Sequence, residues 1–188
     1  MKQSKLRSPS RLRCTHAALA LLIVQTISSA QAQQAKSACT LLQVSELETA
    51  IGAKASAKPS EKPSGSKQSV PGMTLDECSL VLKSATATHP VRVQIVSDLG
   101  MDGAQALKIR NAGQAREQQW KVAGARLEQA TIGTALCILS GRPSVASHTT
   151  CSIPRREGYV EVDVIGPVTD LPSMATVAGL VQKAVSRL

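Results

Sequence analysis

The sequence predicts an α+β fold with a mainly antiparallel sheet, packed by a short N-terminal helix and a C-terminal amphipathic helix. Segments with strand-like patterns follow one another along much of the chain, and the helical patterns are set apart from them. Runs of strands separated from helices are typical of α+β domains. The chain has neither a glycine fingerprint nor a strict strand-helix alternation, which disfavours a doubly wound nucleotide-binding fold.

The first 32 residues predict a cleaved signal peptide. Five basic residues and no acidic residue precede an apolar run over residues 17–27, which is the order of regions in secretory signals. Ala30-Gln31-Ala32 then supplies the small residues that place cleavage after Ala32. The apolar run is shorter than the roughly 20 residues that a membrane-spanning helix needs. We therefore expect a periplasmic or secreted protein with no transmembrane segment in the mature chain.

Residues 33–188 are predicted to form a single α+β domain, since their length suits one domain. Cleavage would remove five of the 22 basic residues and none of the 13 acidic ones, which lowers the net charge from +9 to +4. The remaining basic residues are scattered, so no nucleic-acid partner is indicated. With no Phe, one Trp and one Tyr, the chain also lacks the aromatic platforms on which single-stranded nucleic acids or sugars stack.

The first helix is predicted over residues 45–51. Ser45 and Glu48 have the spacing of a capping box at its start, and Gly52 is suited to end it. Residues 53–72 follow, with Lys, Pro, Ser and Gly around almost no large apolar residue. This composition predicts a flexible, solvated excursion within the domain.

The remaining elements are predicted from hydrophobic periodicity. A helix is predicted over residues 102–119, and a closing amphipathic helix over 171–188. In the last strand, Val160, Val162 and Val164 point one way while Glu161 and Asp163 point the other. The predicted strands cover residues 79–82, 91–95, 126–132, 135–139, 150–154 and 159–165.

Four cysteines remain after Cys14 leaves with the signal, and they are predicted to form disulfides because exported proteins fold in oxidising compartments. Four cysteines allow three pairings. We favour Cys39 with Cys78, which would join the first helix to the first strand and close the excursion, and Cys137 with Cys151, which would join two neighbouring strands. The Cys and His spacing of a zinc site is missing, so neither a metal nor another cofactor is expected.

Three side chains are candidates for a site. Glu161 and Asp163 lie on one face of a strand, roughly 7 Å apart by the strand rise, which is compatible with an inverting glycosidase pair. The alternative interpretation is a solvated outer face. His148 has hydroxyl residues beside it in sequence, but no acid that would orient its ring is evident, and a polar loop is the alternative.

The segment Cys39-Thr-Leu-Leu-Gln-Val-Ser-Glu-Leu-Glu-Thr-Ala-Ile-Gly52, followed by Cys78-Ser-Leu-Val-Leu, resembles the opening of a group of exported bacterial proteins. This group includes domains of unknown function in secreted proteins and lipoproteins, and relatives resembling extracellular sensor domains of kinases. The chain departs from the pattern by lacking an aromatic residue after the second cysteine and by carrying a further cysteine pair. The resemblance implies the disulfide between Cys39 and Cys78 and implies no catalytic residues.

The sequence thus favours an exported, non-enzymatic domain that binds a protein, a component of the cell envelope or a small apolar ligand. The alternative is a small periplasmic hydrolase that uses the carboxylates of Glu161 and Asp163. No catalytic, cofactor-binding or metal-binding residue is assigned from the sequence.

Overall fold

The computed structural model describes residues 36–56, 63–121, 126–142 and 145–188. All of these belong to one unit, Ala35–Leu188. The predicted signal peptide lies outside the described residues, and so do residues 57–62 of the predicted excursion.

An eight-stranded antiparallel sheet forms the centre of the fold. The strands are β1 (Lys54–Ala55), β2 (Ser64–Val70), β3 (Met73–Lys83), β4 (Thr88–Ser97), β5 (Arg126–Ile132), β6 (Ala135–Arg142), β7 (Val145–Arg155) and β8 (Gly158–Gly166). They lie in the order β1-β3-β4-β8-β7-β6-β5. β2 also pairs with β3, along a different part of that strand from β1. The predicted α+β fold with a mainly antiparallel sheet is confirmed.

Four described helices pack against this sheet. They are α1 (Ala38–Leu41), α2 (Val44–Ile51), α3 (Gly103–Lys121) and α4 (Met174–Val185). α1 packs on β3 and β4, α4 packs on β5 to β8, and α2 packs on α4. α3 contacts β7 and β8. It lies on the face opposite α1 and α4, since its Arg110 pairs with Glu161, whose side chain points away from the valine side chains of β8. The sheet therefore has helices on both faces.

The buried core lies on the face that carries α1 and α4. Val162 of β8 lies directly between Val93 of β4 and Cys151 of β7, and all three are almost fully buried. Each of the two valines stabilises the fold by about 1.5 to 3 kcal/mol through its burial. The predicted alternation in β8 thus turns its valines toward the helices and its carboxylates toward the other face.

The N-terminus of α2 differs from the prediction, and the capping box of Ser45 and Glu48 is wrong. Gln43 precedes the helix, and its backbone amide donates a hydrogen bond to the Glu46 carboxylate at 2.9 Å. Glu46 also accepts hydrogen bonds at 2.6 Å from Arg187, beyond the end of α4. These tertiary contacts favour a helix that begins at Val44, in which the capping carboxylate is that of Glu46 and not that of Glu48.

Part of the predicted flexible excursion has regular structure. Residues 64–70 form β2, which pairs with β3 through a tight turn in which Gly72 has a φ of 80°. Every residue of β2 is exposed, so it lacks the apolar alternation by which a strand is recognised in a sequence. Residues 54–55 form β1, and the Glu48 carboxylate accepts from the Ala55 amide at 2.8 Å.

Both disulfides that the sequence favours are present. Cys39 and Cys78 join α1 to β3 with an S–S distance of 2.05 Å. Cys137 and Cys151 lie directly opposite each other on β6 and β7, with their Cα atoms 4.1 Å apart. Each disulfide therefore links elements that already pack on the core face.

The start of α3 is fixed by a close approach of backbone segments. A Cβ atom on Gly103 would lie 1.7 Å from the Gly158 carbonyl oxygen, and one on Gly158 would lie 1.9 Å from the Val96 carbonyl oxygen. Only glycine fits at both positions. The Asp102 carboxylate caps the helix by accepting from the Ala104 amide at 2.9 Å. These contacts hold α3 against β8.

Candidate functional site

The sheet face opposite the core carries a cluster of polar side chains, which we call the polar face. Its members form two rows across adjacent strands. The first row is Glu77, Gln94, Glu161 and Ser152, each directly opposite the next. The second row is Arg92, Asp163 and Thr150, with His148 beside it on β7. These side chains meet because four strands are in register, although their sequence positions are far apart.

The second row is centred on the buried carboxylate of Asp163. Arg92 donates to Oδ2 of Asp163 from Nε at 3.1 Å and from Nη2 at 2.5 Å. Thr150 donates its hydroxyl to Oδ1 at 2.8 Å, and Nδ1 of His148 lies 3.3 Å from the same oxygen. Because one carboxylate receives all three partners, it fixes the positions of the Arg92 and His148 side chains.

The charge of Asp163 follows from these contacts. Burial alone would raise the pKa of its carboxyl group, but the hydrogen bonds from His148 and Arg92 outweigh burial and hold the pKa below its ordinary value. Asp163 is therefore an ionised acceptor at neutral pH, and Nδ1 of His148 must carry the proton between them.

We expect the free energy of unfolding to fall as the pH drops below about 4. The pKa of Asp163 is lower in the folded chain than in the unfolded chain. Its contribution is therefore present above the unfolded pKa and is lost as the pH falls through the folded pKa. Hydrogen bonds from Arg187 and Lys183 lower the pKa of Glu46 in the same way. Denaturant unfolding between pH 2 and pH 7 measures this dependence.

The control variants for this pH dependence are Asp163→Asn and Glu46→Gln. Each variant should be less stable than the parent chain at pH 7 and should show a flatter decline in acid, because the titrating group has been removed. An unchanged acid slope in both variants would contradict the prediction.

The first row is closed by α3. Ser152 donates its hydroxyl to Oε2 of Glu161 at 2.6 Å, and Arg110 of α3 forms an ion pair with the same oxygen. Arg110 also donates to the Ser152 hydroxyl at 3.0 Å and lies over the ring of Tyr159, 5.0 Å from its centroid. At the other end of the row, Gln94 donates to Glu77 at 2.5 Å. The Glu161 and Ser152 end of this row therefore holds α3 on the sheet.

The second row differs from the first in what it presents to solvent. The Asp163 side chain is only 4 % exposed, whereas those of Arg92 and His148 are 39 % and 35 % exposed. The guanidinium of Arg92 and the imidazole of His148 are therefore partly exposed to solvent, and both contact the buried carboxylate of Asp163. Such fixed donors lose little side-chain freedom when a ligand binds.

The three candidate residues from the sequence, Glu161, Asp163 and His148, lie together on this face. The interpretation of the two carboxylates as a solvated outer face is wrong, because Glu161 is 8 % and Asp163 is 3 % exposed. The sequence indicates no acid that orients His148, yet Asp163 does so from the neighbouring strand, and His148 lies in a strand rather than a loop.

Sequence reasoning missed the two arginines that pair with these carboxylates. In the segment that forms β4, apolar and polar residues alternate, and this pattern places Arg92 on the side of the strand away from the core. That alternation was the available signal. The pairing of β4 with β8 was not predicted, and Arg92 and Asp163 are 71 positions apart. Arg110 lies on α3, which has few apolar residues on any one face. The sequence therefore did not indicate which way the Arg110 side chain points.

A concave region lies beside the Cys39–Cys78 disulfide. It is a cleft of about 370 Å³ between the N-terminal helices and the sheet. Its lining is mainly apolar and consists of Ala38, Cys39, Thr40, Leu42, Gln43, Val44, Leu47, Pro63, Cys78, Leu80 and Val93. The volume is at the lower end of the range for small-molecule sites, roughly 300 to 1,000 Å³.

Within the described ranges, no helix is long and apolar enough to cross a membrane. In the same part of the chain, no three His, Cys, Asp or Glu side chains are grouped so that they could hold a metal ion. The two disulfides are compatible with an extracellular or periplasmic location, where such bonds persist. No family model, curated protein or solved structure matches this chain.

Proposed function

We propose that this chain is an exported, non-enzymatic domain that binds a protein partner through its polar face. Export is supported by the signal-like first 32 residues and by the two disulfides. The observation that carries the binding role is the pair Arg92 and His148, which is half-exposed and held by the buried carboxylate of Asp163.

A protein surface suits this face better than a glycan of the envelope. Sugar ligands usually stack on open aromatic rings, and Tyr159 is the only tyrosine in the chain. Its ring is already covered by the guanidinium of Arg110. Charged groups held in a fixed arrangement can instead match complementary charges on a protein and set the orientation of the complex.

The hydrolase hypothesis receives less support from the same geometry. A general acid needs a carboxyl group whose pKa is raised toward neutral pH. The pKa of Asp163 is lowered, and both carboxylates are in ion pairs with arginines. The ion pair of Glu161 also holds α3 on the sheet, and that of Asp163 joins β4 to β8.

Site-specific photo-cross-linking tests the proposed binding face. A photoreactive amino acid replaces Ser79, which lies opposite Arg92 and is half-exposed, and in a matched control it replaces the exposed Ala175 on α4. In an envelope extract of the source cells, we expect one protein to cross-link at position 79 and not at position 175. That protein, when purified, should bind the unmodified domain, and the Arg92→Ala variant should bind about 10-fold more weakly.

Three outcomes of this experiment would contradict the proposal. They are the absence of any cross-linked protein, equal cross-linking at both positions, and a captured protein that binds the Arg92→Ala variant as tightly as the parent domain. Release of a product by the parent chain in a hydrolysis screen, lost in Glu161→Gln, would favour the hydrolase instead.

The cleft beside the Cys39–Cys78 disulfide supports a second candidate, carriage of a small apolar ligand. Methyl NMR during titration with a medium-chain alcohol tests this role. Shifts confined to Leu42, Leu80 and Val93, and abolished by filling the cleft with Leu42→Trp, would support it. A spectrum that does not change would eliminate it.

A further inference from the structure

We propose that Arg92 and protonated His148 together bind one carboxylate of the protein partner, so that binding takes up a proton. This inference rests on the proposed binding role of the polar face and names the chemical group that the face recognises. The carboxylate would come from an Asp or Glu side chain or from a chain terminus of the partner.

The guanidinium of Arg92 has donors left for such a group. Its Nε and one hydrogen of Nη2 are directed at Oδ2 of Asp163. Within the described residues, no acceptor contacts Nη1. An arginine side chain carries five N–H donors in one plane. The edge formed by Nη1 and Nη2 is therefore available for the two parallel hydrogen bonds that a carboxylate accepts.

The imidazole of His148 supplies the second contact. Its Nδ1 faces Asp163, and Nε2 lies on the far side of the ring, without a hydrogen-bond partner in the part of the chain that the structure describes. Because the ionised Asp163 can only accept, Nδ1 carries a proton, and Nε2 of the neutral ring is then an acceptor. A carboxylate is also only an acceptor. The two can form a hydrogen bond only after Nε2 takes up a proton.

Two of the three carboxylates near the pair are already paired with arginines. Asp163 lies beneath the pair and is almost fully buried, and the charge of Glu161 is paired with Arg110. Glu77 is the remaining carboxylate of the polar face; it accepts from Gln94 on the β3 side of the cluster. Glu77 and Glu161 also interact electrostatically with Arg92, so the hydrogen bonds of an incoming carboxylate to Arg92 and His148 must outweigh its repulsion by Glu77. The predicted net charge of +4 on the mature chain would also attract an acidic partner.

Titration of the disulfide-bonded mature chain with short peptides tests this inference. The probes are acetyl-Glu-Glu-Glu-amide, the matched acetyl-Gln-Gln-Gln-amide and inorganic phosphate, with the His148 ring and the Arg92 Nε–H followed by NMR at pH 6 and pH 8. We expect the Glu peptide to shift both signals and to bind at least 5-fold more tightly at pH 6. The Gln peptide and phosphate should bind more weakly than the Glu peptide at both pH values.

Variants separate the two contacts. His148→Gln should remove the pH dependence while keeping the affinity that the parent has at pH 8. Arg92→Gln should weaken binding about 10-fold, since a hydrogen bond between charged groups is lost. Arg92→Lys keeps the charge beside Asp163 and preserves the fold, yet it should also weaken binding because the planar edge is gone. The matched control is Arg156→Gln, in an exposed turn, which should bind as the parent does.

The inference is overturned if Arg92→Lys and Arg156→Gln bind the Glu peptide equally, or if His148→Gln retains the pH dependence. It is also overturned if phosphate binds more tightly than the Glu peptide, since the site would then take a free anion. If cross-linking at position 79 yields a partner whose affinity is the same for Arg92→Lys and the parent, this inference fails while the binding role stands. Without any cross-linked partner, the binding role itself fails.

Discussion

Arg110→Met is expected to lower the free energy of unfolding by about 3 to 5 kcal/mol. Arg110 forms the ion pair between α3 and the carboxylate of Glu161, a residue that is 8 % exposed. Removing the cation leaves a buried charge whose remaining described partner is the Ser152 hydroxyl. Met keeps much of the apolar stem of Arg110 and removes only the guanidinium, with its contacts to Glu161, Ser152 and the Tyr159 ring. Urea unfolding of residues 33–188 at pH 7, with both disulfides formed, measures the loss.

The double variant Arg110→Met, Glu161→Met serves as the control for this prediction. It should be more stable than Arg110→Met alone, because removing both charges also removes the cost of burying an unpaired carboxylate. Arg156→Met, on the exposed turn, should change stability by no more than about 0.5 kcal/mol. If Arg110→Met resembles Arg156→Met, the ion pair does not hold α3 on the sheet.

The sequence was sufficient for elements that bury one regular face. The alternating valines of β8 and the apolar spacing of α4 predicted these elements closely, because burial on one side imposes a period on the side chains. β2 could not be predicted in this way, since all of its residues are exposed and its strand conformation depends on pairing with β3. α1 is only four residues long, too short for a helical period to be recognised.

The candidate site depends on information of a different kind. Alternation within β8 placed Glu161 and Asp163 on the same face, and this part of the site was predictable. Their partners come from β4, β7 and α3, and the choice of partner depends on which strands are neighbours and in which register. A shift of one residue would turn Arg92 to the core face. The buried and paired state of the carboxylates therefore required the tertiary structure.

Removal of the Cys39–Cys78 disulfide by double substitution to Ala is expected to lower the free energy of unfolding by about 4 kcal/mol. The same change at Cys137 and Cys151 should lower it by about 3 kcal/mol. The reason is the length of chain that each bond closes, with sequence separations of 39 and 14, because a longer loop loses more conformational entropy in the unfolded state. Urea unfolding of the two variants gives the difference.

The folded structure adds a second reason for the same order. Cys137 and Cys151 belong to neighbouring strands that backbone hydrogen bonds hold together without the disulfide. Cys39 lies within α1, a four-residue helix that has little stability of its own, so the bond to Cys78 also keeps α1 on the sheet. Amide exchange should therefore rise in residues 38–41 of the Cys39→Ala, Cys78→Ala variant, and remain unchanged there in the other variant. Equal losses of stability, together with unchanged exchange in α1, would contradict this account of the first disulfide.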